Sequence, residues 1–170
     1  MNTKAKTLQK IIGLIVLMTL TRLIPHPWNF TPLIAGSLYL GFSLPVSFAI
    51  IASLVSMILG DIFLGLYFSS ISVYLSIFAI TFMGRFIKNI SALRVAGFSF
   101  LGSTFFFLVT NFSVWLTMPM YEKSLLGLVK CYTLALPFYG NTLLSSLLYA
   151  GVFFGAHAFY KSRCVLVFND

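Results

Sequence analysis

The chain has 170 residues, 59% of them apolar and 8% charged, and its eleven Lys and Arg against three Asp and Glu give a net charge of +8. Soluble domains carry about a quarter of their residues as charges, so this chain lacks the charge to cover itself in water, while its apolar content excludes disorder. The basic residues are too scattered for a nucleic-acid interface, and continuous apolar runs such as Ile11–Leu20 and Phe98–Val109 lack the period-two alternation of a membrane β-barrel.

These exclusions leave an integral membrane protein built of helices. A span takes roughly 20 residues, so the length holds one bundle and no soluble domain. Met1–Lys10 carries three Lys and leads into Ile11–Leu20, as a secretory signal does. No small-residue cleavage site follows, so a retained first span is the better reading. Spans are predicted at 11–24, 31–44, 46–62, 71–87, 93–116 and 141–160. Leu33–Gly60 is uncharged over 28 residues, longer at ~1.5 Å per residue than a bilayer core of ~30 Å. Pro45 breaks it into a tight hairpin, because proline removes a donor and disfavours helix at the residue before it. Segment 124–139, which contains Lys130, is predicted to be a partly buried outer segment.

Charge orients this bundle. With six spans and both termini cytoplasmic, the inside collects Lys4, Lys6, Lys10, Arg85, Lys88, Arg94, Lys161 and Arg163. The outside keeps Arg22, Lys123 and Lys130, in line with the positive-inside rule. A seventh span at 124–139 would erase that asymmetry. The expected location is the bacterial cytoplasmic (inner) membrane, crossed several times.

The outer connections hold most of the polar chemistry. Pro25, Pro27 and Pro32 forbid a regular helix and fix a stiff loop that presents His26, Trp28, Asn29 and Phe30 in order. Irregular backbone at membrane depth is tolerated where it is buried in protein or lines a cavity, so the loop is a candidate pocket wall. Asp61 is the only acid before Glu122. A carboxylate ending an apolar run needs a partner or water; it either pairs with Arg22 or faces a ligand. Asn111, on the fifth span, either bonds a neighbouring helix or faces the same ligand. Tyr67 and Trp115 fall at the same end and offer stacking surfaces.

Catalysis and metals find little support. HExxH, a Gly-rich phosphate loop and GxSxG are all missing. Cys131 and Cys164 lie 33 residues apart with no metal-ligand pattern. Neither an enzyme nor a cofactor-dependent protein is expected.

The ordered residues Arg22, Pro25-His26-Pro27, Asn29-Phe30-Thr31-Pro32, Asp61, Gly84-Arg85, Phe106-Phe107, Thr110-Asn111, Trp115, Pro137-Phe138 and Asn141-Thr142 resemble a family of small uncharacterised bacterial membrane proteins. That family is similar in size and span pattern to the substrate-binding S components of energy-coupling-factor vitamin transporters. The resemblance implies six helices whose outer loops close over a vitamin or cofactor precursor. S components often dock a shared coupling subunit through Ala-x-x-x-Ala on the first span, and Ile11–Ile24 holds no Ala. Ser145-Ser146 stands where the small family usually has Gly-Asp. A coupling subunit and a solitary protein both stay open.

The sequence thus predicts a bilayer-embedded protein that binds a small organic solute at its outer face. His26, Asn29, Asp61 and Asn111 are the expected polar contacts, with Trp28, Tyr67 and Trp115 as stacking surfaces; a few polar groups among aromatics is how organic ligands are usually held. The alternative is a membrane scaffold or a subunit of a cell-envelope complex. Small-residue stripes at Ala52, Ser56, Gly60 and at Gly151, Gly155 suit close helix packing in either case.

Overall fold

The computed structural model describes residues 3–65 and 70–167. Among these the chain is all-helical: α1 (Thr3–Leu23), α2 (Leu33–Ser43), α3 (Val46–Leu64), α4 (Ser70–Gly84), α5 (Ala92–Thr117) and α6 (Leu125–Val167). Three stretches, Val46–Leu64, Ala92–Thr117 and Leu125–Ser162, are long and apolar enough to cross a membrane. Ile11–Leu23, Leu33–Ser43 and Ile71–Gly84 are shorter apolar helices. Length and composition indicate a membrane protein. Large apolar side chains such as Val16, Ile51, Ile58, Phe78, Leu101 and Leu148 cover its outside, where lipid tails are as apolar as they are.

The middle of the bundle is α2, which packs against α3, α4, α5 and α6. Every residue from Leu33 to Gly41 is buried, as expected of a helix that is apolar all round. The chain turns at Leu44, whose extended backbone (φ −128°, ψ 160°) precedes Pro45 at the start of α3. Proline imposes that conformation on its predecessor.

Glycine sets the closest approach. A Cβ on Gly41 would overlap the Thr81 carbonyl oxygen, and one on Gly84 would overlap that of Leu38. α2 and α4 therefore meet backbone to backbone, as small residues permit in membrane bundles. Apolar clusters lie on both sides of this seam. One joins Ile34, Leu38 and Tyr39 to Ile80, Phe153 and Phe154; the other joins Leu33 and Leu40 to Met18, Ala52, Met57 and Ile77. Two hydroxyls buried nearby bond across helices: Thr81 Oγ1 donates to Ser53 Oγ at 3.0 Å, and Thr19 Oγ1 to the Ser56 carbonyl at 3.2 Å.

The two small-residue stripes have different fates. The α3 stripe faces α1, with Ser56 bonded to Thr19 and Gly60 lying under Arg22. Gly151 and Gly155 have no neighbour where a Cβ would stand, and with Ala92 and Ala96 they line a groove of about 290 Å³.

The largest departure from the sequence reading is α6. Segments 124–139 and 141–160 are not separate elements but parts of one helix of 43 residues running through Pro137. Proline leaves one carbonyl without its donor, a defect that membrane helices tolerate. The segment before Pro137 finds its partner in the far half of α5. Tyr132 Oη donates to the Leu108 carbonyl at 2.7 Å, and Phe107 meets the rings of Tyr132 and Tyr139. The buried residues of α5 all lie between Val95 and Ser103, so its far half is covered on one side by α6.

Candidate functional site

The Pro-rich connection between α1 and α2 folds as a tight turn. Phe30 N donates to the Pro27 carbonyl at 2.9 Å, and Asn29 has φ 61°. Positive φ at the third position defines a type II turn, and Asn is among the few residues besides Gly that accept it. α6 holds the turn in place. Asn141 Nδ2 donates to the Trp28 carbonyl at 3.0 Å, and Trp28 and Phe138 meet edge to face at 6.3 Å. The Trp28 ring itself is 78% exposed.

Beneath this turn lies a cavity of about 540 Å³, within the usual range of small-molecule sites. His26, Trp28, Asn29 and Thr31 line it from the loop, Arg22 from α1, and Thr142 from α6. Leu33, Ile34, Met57, Leu64, Val73 and Phe106 supply apolar wall. His26 Nδ1 sits 2.8 Å from the Pro27 carbonyl, which can only accept. In the neutral ring Nδ1 therefore carries the proton, and Nε2 is an acceptor. Among the described residues the lining contains no carboxylate.

Asp61 does not line this cavity. Its carboxylate takes Arg22 Nη2 at 2.6 Å on Oδ1 and the Tyr74 hydroxyl at 2.5 Å on Oδ2. Arg22 Nη1 donates in addition to the Met57 carbonyl at 2.8 Å. The Arg22 and Asp61 side chains are only 13% and 5% exposed. Of the two roles open to Asp61, the structure forms the ion pair. Gly60 is part of the device, because a Cβ there would overlap the Arg22 guanidinium. Arg22 thus faces the cavity with its charge balanced from behind.

Asn111 and Trp115 lie apart from the cavity, on the far half of α5. Asn111 Nδ2 bonds back to the Phe107 carbonyl at 2.8 Å, and its own carbonyl faces Cys131 Sγ at 3.5 Å. Trp115 Nε1 donates to the Glu122 carbonyl at 2.9 Å, while Lys123 Nζ bonds the carbonyls of Trp115 and Met118. Trp115 and Lys123 tie the α5–α6 connection together, while the Asn111 side chain bonds within α5. In that connection, burial, and then the Cys131 sulfur, raises the Tyr121 phenol above its ordinary range, so it stays neutral. Tyr67 lies outside the described residues.

Of the six described residues among those singled out from the sequence, His26, Trp28 and Asn29 line the cavity. Sequence reasoning missed Thr31, Ile34, Phe106 and Thr142. Thr142 was legible only as part of the Asn141-Thr142 pair, and a threonine on an apolar helix gives no other sign of facing a pocket. Among the described residues, no three of His, Cys, Asp and Glu come together to hold a metal ion.

A protein-family model described as a family of unknown function, DUF6580, matches residues 2–167. The chain belongs to that family. No curated protein and no solved structure matches it.

Proposed function

Membership of a family without an assigned activity leaves function to the site, and we propose that the chain binds a small organic solute of the vitamin or cofactor-precursor class in the cavity under the Pro25–Pro32 turn. The single observation that carries this reading is the cavity itself, about 540 Å³ between a loop stiffened by prolines and an apolar wall. His26 and Asn29 supply polar contacts and Trp28 a ring face. Such a mixture gives orientation through few polar groups and affinity through apolar burial.

In this reading the protein crosses the bacterial cytoplasmic membrane six times with both termini inside, and the turn faces outward. The distribution of Lys and Arg supports it, eight predicted inside against three outside among the eleven. Uptake would follow the manner of S components, with the energy coming from a coupling subunit or from motions of a solitary bundle. That likeness rests on size and span pattern; the motifs quoted from the sequence carry the resemblance to the small family alone. The protein is not an enzyme in this account and needs no resident cofactor.

The test is a thermal melt of the purified protein with and without a protein-free extract of its host cells. A ligand that binds the folded state alone raises Tm by mass action. The extract is expected to raise Tm of the wild type and of Asn111→Ala, but not of His26→Ala/Trp28→Ala. An equal response in all three would remove the cavity from the account.

One observation favours the second reading, a scaffold or envelope-complex subunit. Among the described residues nothing lies within 4 Å of where a Cβ on Gly151 or Gly155 would stand, and open small-residue faces of this kind suit the docking of another membrane helix. If Gly151→Leu releases a co-purifying protein while the extract has no effect on Tm, the scaffold is the better account.

A further inference from the structure

A second cavity, of about 610 Å³, lies at the opposite end of the bundle, between the α4–α5 connection and the last turns of α6. Lys88 and Asn89 line it from the connection, His157 and Lys161 from α6, and Phe42 and Ile90 form apolar wall. His157 and Lys161 are four residues apart and so share one face of their helix. The Tyr39 hydroxyl lies 3.2 Å from His157 Nδ1, and the Phe42 ring meets the imidazole edge to face at 5.2 Å. These contacts fix the imidazole, while both lysines are exposed on the rim.

The charge here is one-sided. The chain has three acidic residues. Asp61 is paired with Arg22 at the other end of α3, Glu122 lies in the α5–α6 connection, and Asp170 is outside the described residues. Among the described residues, no carboxylate balances Lys88 and Lys161. Charge that served only to orient the protein in the bilayer would need no concavity. Here two ammonium groups, a carboxamide and an imidazole border one cavity from two elements, with aromatic and aliphatic wall beside them.

We propose that this cavity holds a phosphate group. Lysines bind phosphate as point charges, and a phosphate offers several oxygens to donors arriving from different sides. The source is an anionic phospholipid headgroup or a soluble phosphate. Basic pockets between membrane helices take the first, and the apolar wall suits the glycerol and acyl carbons that come with it. The proposal is independent of solute binding at the other end.

The test uses the full-length protein in detergent, with binding read by native mass spectrometry. One arm titrates short-chain phosphatidylglycerol against phosphatidylcholine, and the other adds inorganic phosphate. The wild type is expected to prefer phosphatidylglycerol by about tenfold or more, and Lys88→Gln/Lys161→Gln is expected to lose the preference. Lys123→Gln/Lys130→Gln removes the same charge from the other end and should keep it. Phosphate bound by the wild type but not by the Lys88 and Lys161 variant, without lipid preference, supports the site and assigns it to a soluble phosphate. Equal binding by wild type and variant in both arms overturns the proposal, as does equal loss in the two double variants. Both altered lysines are exposed, and matching melting curves verify that each variant is folded.

Discussion

Arg22, Asp61 and Tyr74 form the costliest polar group in the bundle, because an ion pair among apolar helices stands only while both charges are present. Removing one partner of a buried pair costs about 3–5 kcal/mol. Asp61→Asn, which strands the Arg22 charge, is expected to lower stability by that amount, read as an earlier midpoint in a denaturing-detergent titration. Tyr74→Phe removes one hydrogen bond to the same carboxylate and should cost less, about 2 kcal/mol. A midpoint for Asp61→Asn equal to wild type would mean that the pair contributes nothing. Gly60→Ala places a methyl against Arg22 Nη1, at the tip of a flexible side chain, and should cost less than Asp61→Asn; an equal loss would show that the guanidinium has no room to shift. This pair was legible in the sequence as one of two options, because a lone acid and a lone Arg near one boundary have few other partners. The loop residues were legible because three prolines in eight positions leave a fixed turn as the simplest outcome. Asn111 and Trp115 lie away from the cavity, because residue type shows that an amide or an indole needs a partner but not where along a long helix that partner lies.

At the scale of elements, the helix assignments follow from apolar runs and from proline. The hairpin at Pro45 and the start of α5 at Ser91, whose hydroxyl accepts from Arg94 N at 3.3 Å, are both local signals. Two features had no local signal. The first is the backbone contact of α2 with α4 at Gly41 and Gly84. A glycine in an apolar run reads as permissive until the neighbouring helix is known. Gly41→Ala forces a methyl into the backbone of α4, and overpacking of this kind typically costs about 1–3 kcal/mol. A lower Tm is expected, and an unchanged Tm would show that α2 and α4 separate freely. The second feature is the length of α6. Proline and Gly140 argue for a break near 137–140, but contacts with α5 carry the helix through. The 38 residues Leu125–Ser162 span ~57 Å at ~1.5 Å each, well beyond a ~30 Å hydrocarbon core. One end must leave the core, and Lys130 marks which. In a background lacking Cys131 and Cys164, Leu126→Cys is expected to react with a water-soluble maleimide and Leu144→Cys to stay protected. Equal labelling of the two would refute that placement of α6 in the bilayer.

For the whole molecule, composition pointed to a membrane protein, because too few charges are available to cover a soluble domain, and the continuous apolar runs pointed to helices. The cavity was beyond reach of composition. It forms where the α1–α2 turn, the end of α1 and the middle of α6 converge, and Trp28 and Asn141 are 113 positions apart in the chain. That convergence gathers His26, Asn29 and Arg22 at one end of the bundle. Solute capture at the proline-braced end is the central claim, and its most direct measurement is mass spectrometry of small molecules extracted from the purified wild-type protein and from His26→Ala/Trp28→Ala. The account predicts a compound enriched in the wild type and depleted in the variant, while Asn111→Ala retains it. The same compounds in equal amounts from wild type and variant would contradict it.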